Sequence, residues 1–215
     1  MPLRIPALAF LCLMLAAVQA WPQNWSYNNG PINGTTDAWT INFGYIVSDT
    51  FTAGGTSMSS FQFGGWEYPG DQLMLLIWSV TTGENSGTTL GSGTASGANI
   101  TDTFISTNQY GYDVDLISVT AAVSGLTAGS TYWLDLQTPS AGGEPVYWDE
   151  NSGVGCGSPG CPSRASENAV GTIPSEAFTI VGGTVTVPEP GNIMLFAAGI
   201  LSLAGISRYN RRKLD

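Results

Sequence analysis

The chain is 215 residues long, with 43% hydrophobic and only 10% charged residues, and it is rich in glycine. It contains no histidine; between Trp21 and Val187 it has no lysine and only Arg164 against 14 carboxylates, a net charge of −13. This excludes His-based triads, imidazole metal ligands and Schiff-base lysines. It also excludes nucleic acid as a partner, because no basic surface exists to displace counterions.

Met1 to Ala20 reads as a secretory signal peptide. Arg4 is its positive end, Ile5 to Val18 its apolar stretch, and Val18-Gln19-Ala20 a small-residue cleavage site. Residues 21–182 then form one domain, long enough to bury a sizeable core unaided.

Turn signals recur at short intervals through this domain, and helix-period stretches are absent. Phe61 and Phe63 alternate with polar neighbours, as in a half-buried strand. Leu73 to Trp78 is apolar throughout, which predicts a central strand covered on both faces. Ile117, Val119, Ala121 and Val123 alternate, as do Tyr132, Leu134 and Leu136. Weaker strands are predicted over 46–52, 89–94, 101–105, 146–148 and 177–181. About eight to ten short strands without helices predict an all-β, two-sheet antiparallel sandwich. The immunoglobulin Cys–Trp–Cys spacing is missing, which favours a jelly-roll-like arrangement.

Three phrases concentrate aromatic and acidic residues: 65–71 with Trp66 and Tyr68, 108–115 with Tyr110 and Tyr112, and 145–151 with Tyr147 and Trp148. Each stands at a turn or strand edge marked by Gly or Pro. Exposed aromatics there can stack on sugar rings, with carboxylates accepting hydroxyl hydrogen bonds. Alternatively, the rings close the ends of the core and the carboxylates make turns. If the strand from Asp113 runs unbroken to Val123, then Asp113, Asp115, Ile117 and Val119 share the core face, unless a bulge near Val114 flips the register. Buried carboxylates need donors, water or a cation, and basic side chains are scarce. Ca2+ is therefore a candidate ligand, with Asp113, Asp115, Asp149, Glu150 and Asn151 as oxygen donors, although the spacing matches no EF-hand loop.

Residues 151–175 form a long excursion of low hydrophobicity. Cys156 and Cys161 lie in it around Pro159-Gly160, where a tight turn can bring the sulfurs together. A local disulfide is expected in an oxidising compartment. A zinc site would lack further Cys or His ligands.

Residues 183–190 form a linker containing Pro188-Glu189-Pro190. The apolar run Ile193 to Ile206 follows, and then Arg208, Arg211, Arg212 and Lys213. The prolines hold the approach extended, the segment 191–209 spans about 28 Å as a helix against a hydrocarbon core of about 30 Å, and the cations fix residues 210–215 in the cytoplasm. A plain tail anchor is one reading. The order of motif, helix and basic end resembles the PEP-CTERM sorting signal of exported proteins in Gram-negative bacteria that make extracellular polysaccharide. The resemblance covers roughly the last 28 residues. It implies an inner-membrane precursor with one transmembrane helix, processing by an exosortase near the Pro-Glu-Pro element, and a cell-surface or extracellular destination. The aromatic–acidic phrases loosely resemble those of exported domains in that group.

Two functions follow as expectations. The first is a non-catalytic envelope or extracellular-matrix protein that binds carbohydrate; an anionic polysaccharide would need a bridging cation. The alternative is a glycan hydrolase built on a carboxylate pair. A flat aromatic face would support binding, and a deep cleft with two carboxylates about 5–10 Å apart would support hydrolysis.

Overall fold

The computed structural model describes residues 22–139, 143–151 and 154–186. The expected signal peptide, Pro-Glu-Pro element, apolar helix and basic end lie outside these residues.

Thirteen strands occur among the described residues, with one 3-10 turn, Gly97–Asn99, and no α-helix. One antiparallel sheet contains β1 (Pro22–Asn28), β2 (Ala38–Thr40), β4 (Ser57–Glu67), β7 (Ile100–Thr107), β8 (Asp113–Ser124), β10 (Tyr147–Asp149) and β13 (Phe178–Thr186). The other contains β3 (Val47–Thr52), β5 (Leu75–Gly83), β6 (Ser86–Ser96), β9 (Thr131–Gln137), β11 (Ala165–Glu167) and β12 (Gly171–Ile173), in the order β12-β11-β3-β9-β5-β6. The described residues form an all-β sandwich.

Alternation explains its core. On β4 the rings of Phe61 and Phe63 point inward, opposite Val119 and Ile117 of β8. Leu134 and Leu136 of β9, Leu76 and Val80 of β5 and Phe51 of β3 meet them from the facing sheet. Phe61 crosses the gap to Trp78 with ring centroids 6.2 Å apart. Each such fully buried side chain contributes about 1.5–3 kcal/mol of hydrophobic stabilisation.

Two expectations need correction. The apolar run Leu73 to Trp78 is not one strand covered on both faces. The strand begins at Leu75 and runs on to Gly83, while Met74 is 62% exposed. Its inner positions Leu76, Trp78 and Val80 are buried, but its outer face is only half covered. The excursion 151–175 is also more ordered than a loop. Within it, β11 pairs with β3 and β12 pairs with β11, extending the second sheet at its edge. Their three-residue lengths leave too few positions for alternation to show in the sequence.

Candidate functional site

β4 is the element on which the aromatic–acidic phrases converge. Between Ser60 and Glu67 it pairs without a shift against β8, with Trp66 opposite Val114 and Glu67 opposite Asp113. On its other side Trp66 pairs with Tyr147 of β10, and Gly65 with Trp148. The β7–β8 pairing shifts between Phe104 and Ser106, opposite Asp115 and Val114, but the extra residue is Ile105 of β7, and β8 itself runs unbroken against β4 from Asp113 to Thr120. The two-residue period therefore divides the phrases between the faces of one sheet.

The outer face carries the aromatic group. The Trp66 ring centroid lies 5.8 Å from Tyr110 and 6.5 Å from Tyr112, at interplanar angles of 31° and 26°. Tyr112 meets Tyr147 edge-on at 5.4 Å. The β7–β8 turn aims the two tyrosines. Asn108 Oδ1 accepts from the backbone N–H groups of Tyr110 (2.9 Å) and Tyr112 (3.0 Å), and Gly111 takes the left-handed conformation, φ 86°, that closes the turn. Trp66 is only 4% exposed, while Tyr110 and Tyr68 are 57% and 54% exposed and Tyr112 and Tyr147 are half-buried. Burial, with a hydrogen bond to Tyr112, pushes the Tyr147 hydroxyl up to about 12.

Asp149 belongs to this face. Its carboxylate accepts from Trp66 Nε1 at 2.7 Å, Asn33 N at 2.8 Å and Gly34 N at 3.1 Å. Close approach requires glycine at position 64, where an added Cβ would lie 2.7 Å from the Asp149 Cβ. Burial raises the Asp149 carboxyl to about 6, and these donors hold it from rising further.

The inner face carries acid. Glu67 follows Phe61, Phe63 and Gly65 on the core side of β4; Asp115 of β8 stands opposite Gly65; and Asp102 of β7 stands opposite Ile117. One carboxylate oxygen from each lies within 4.8 Å of the others. Burial, then the charges of Asp102 and Asp115, push Glu67 up to about 9. Burial, then Asp102 and Asp113, raise Asp115 to about 6; burial also raises Asp102, against a hydrogen bond from Leu73 N at 2.7 Å. Three oxygens so placed suit a hard divalent cation.

The expected cation set is therefore divided. Asp113 sits at the end of the inner row, with Oδ2 accepting from Gly70 N at 3.0 Å and Oδ1 from Thr107 Oγ1 at 3.0 Å. Asp115 joins Glu67 and Asp102 instead of Asp149, because Asp149 lies on the opposite face of the same sheet. Glu150 is buried, and its backbone N donates to Asp37 O at 2.9 Å. Asn151 Nδ2 bonds the backbone oxygens of Glu176 and Asn29, and its Oδ1 accepts from Ser175 Oγ. Trp148 is a core residue: its ring packs edge-on against Phe63 and Phe178, and its Nε1 donates to Ala177 O at 3.0 Å. It offers no surface to a ligand. Cys156 and Cys161 are joined, with Cα atoms 5.9 Å apart.

Glu67 and Asp102 were missed among the expected cation ligands, though both had a signal. Glu67 shares parity with Phe61 and Phe63, and Asp102 with Ile100. No protein-family model matches this chain and no curated protein matches it, so the chemistry of this edge rests on its own geometry.

Proposed function

We propose that the chain is a non-catalytic exported protein of the cell envelope or extracellular matrix that binds carbohydrate at the Tyr110–Tyr112–Tyr147 edge. It is sorted through a PEP-CTERM signal, with the signal peptide, one transmembrane helix and exosortase processing that this implies. One observation carries the binding reading: three phrases separated in sequence bring their aromatics to one edge around Trp66. The face of an aromatic ring is electron-rich, and a pyranose presents a C–H face that stacks on it. Tyr110 offers such a face, while Trp66 and the Asn108 turn hold it in place. The chain changes sheet eight times, at β2–β3, β3–β4, β4–β5, β6–β7, β8–β9, β9–β10, β10–β11 and β12–β13, which supports a jelly-roll-like reading of the sandwich.

Binding of the purified protein to a glycan array tests this. Tyr110→Ala combined with Tyr112→Ala is expected to lower affinity about tenfold or more, since each stacking contact is worth about 0.5–1.5 kcal/mol beyond its area. Absence of binding to any glycan, or binding unchanged in the double variant, overturns the proposal.

The hydrolase reading draws on Glu67, whose carboxyl is pushed up to about 9 by burial and by the charges of Asp102 and Asp115, the direction a general acid requires. Against it stands the cavity at Glu67, about 120 Å3, which is small beside ligand pockets of about 300–1,000 Å3. Reducing ends released from polysaccharide by the parent and not by Glu67→Gln would favour the enzyme.

A further inference from the structure

Three neighbouring strands place acid on their inner faces at one end of the sandwich. Glu67 is only 2% exposed, and its Oε1 is sealed from solvent without a hydrogen-bond partner. Gly65 presents no side chain beside it: a Cβ there would crowd Ile117 at 3.1 Å and touch Glu67 Oε1 at 3.7 Å. Asp71 and Asp113 add negative charge to the cluster. Among the described residues no basic side chain balances it. Arg164, the only one between Trp21 and Val187, lies over the Trp133 ring of the other sheet and within 4.0 Å of Glu84. A buried, unpaired acceptor among like charges is costly unless a proton or a cation occupies the space.

We propose that Glu67, Asp102 and Asp115 form the protein ligands of a single Ca2+ ion that ties the ends of β4, β7 and β8 together. The donors are all carboxylate oxygens, which select a hard cation. Calcium binds oxygen at about 2.3–2.6 Å, so ligands on opposite sides of it stand at most about 4.6–5.2 Å apart. The observed separations, within 4.8 Å, fit that span with little movement. Water completes the shell from the small cavity lined by Glu67, Asp71, Gln72 and Glu144, beside the half-buried Asp102. The site is distinct from the set Asp113, Asp115, Asp149, Glu150 and Asn151, sharing only Asp115 with it. Trp66 immediately precedes Glu67 and Tyr112 lies three residues before Asp115, so the ion also steadies the strands that carry the aromatic edge. The cation site does not depend on carbohydrate binding, and its test uses no glycan.

The full chain, stripped of metal with EDTA and dialysed, is titrated with CaCl2 by calorimetry and melted with and without the ion. The expected result is one ion per chain and a Tm higher by about 5–10 °C at a hundredfold excess over Kd. Asp102→Asn with Asp115→Asn abolishes the shift, whereas Asp149→Asn leaves it intact. In chelator the double variant melts no lower than the parent, because repulsion is relieved; a merely structural role for these carboxylates would lower it. If the double variant does not fold, Asp102→Asn alone, at the half-buried position, must weaken Ca2+ binding about tenfold or more. An unchanged Tm for the parent in excess Ca2+, a shift that survives the double substitution, or an unaltered affinity in Asp102→Asn overturns the proposal.

Discussion

Asp49 stands on the inner face of β3 between Val47 and Phe51, with no exposed surface. Its Oδ2 accepts from Glu176 N at 2.8 Å and Asn29 Nδ2 at 3.5 Å, while its Oδ1 has no hydrogen-bond partner. Burial pushes the carboxyl up to about 7, against the lowering effect of hydrogen bonds from Ser163 and the Glu176 and Thr50 backbones. Glu176, whose two carboxyl oxygens are buried without partners, is raised well above the ordinary range by burial and by the charge of Asp49. Unfolded, Asp49 ionises near 3.8; folded, it holds its proton to about 7. Its stabilising effect is thus fully present below the lower value and is lost as pH rises through the higher one. In chelator, the protein is expected to be more stable at pH 5 than at pH 8, with Asp49 contributing on the order of 2–3 kcal/mol of that difference. Asp49→Asn flattens the dependence. Urea melts across this range check it, and greater stability at pH 8 than at pH 5 would show that these carboxyls are not held neutral.

At the scale of elements, the cystine segment is anchored to β1. Ser158 Oγ accepts from Asn28 N at 2.7 Å, and Ser163 N donates to Asn29 Oδ1 at 3.1 Å. Closing so short a loop removes little entropy from the unfolded chain, about 2 kcal/mol at most. Downstream, β11 holds its place through ladder bonds to β3, and β12 through ladder bonds to β11. Replacing both cysteines by serine is therefore expected to speed hydrogen exchange over 154–164 while 165–173 stays protected and the sandwich stays folded. Cooperative loss of the whole fold, or free thiols in the exported parent protein, would refute this account of the crosslink.

For the whole molecule, the proposed sorting route makes a prediction of its own. A protein held by a PEP-CTERM tail until an exosortase acts should lose that tail after export. Mass spectrometry of the mature pool from the producing cell is expected to find chains ending near the Pro188-Glu189-Pro190 element. Persistence of the intact C-terminus through Asp215 would make the tail a plain anchor, and it would leave the carbohydrate and cation proposals standing, because neither involves residues beyond the sandwich.

What the sequence determined by itself is local. Side chains alternate across a strand because the extended backbone leaves no other choice, so Ile117 to Val123 and Tyr132 to Leu136 announced their strands and their buried faces. The same period places Asp115 on the core side. The charge imbalance and the lack of histidine needed no fold at all. Tertiary structure decided which strands became neighbours. Glu67 and Asp102 are 35 residues apart and meet only because β8 pairs with both β4 and β7, in a register that a bulge at Phe104–Ser106 adjusts. Asp149 was assigned to the Asp115 group by sequence, yet the pairing of β10 with β4 put it on the other face. Trp148, one residue earlier, turned into the core for the same reason. Strand period is fixed by backbone stereochemistry, whereas partner and register are settled by packing of the two sheets as a whole, and a single chain segment carries no record of that.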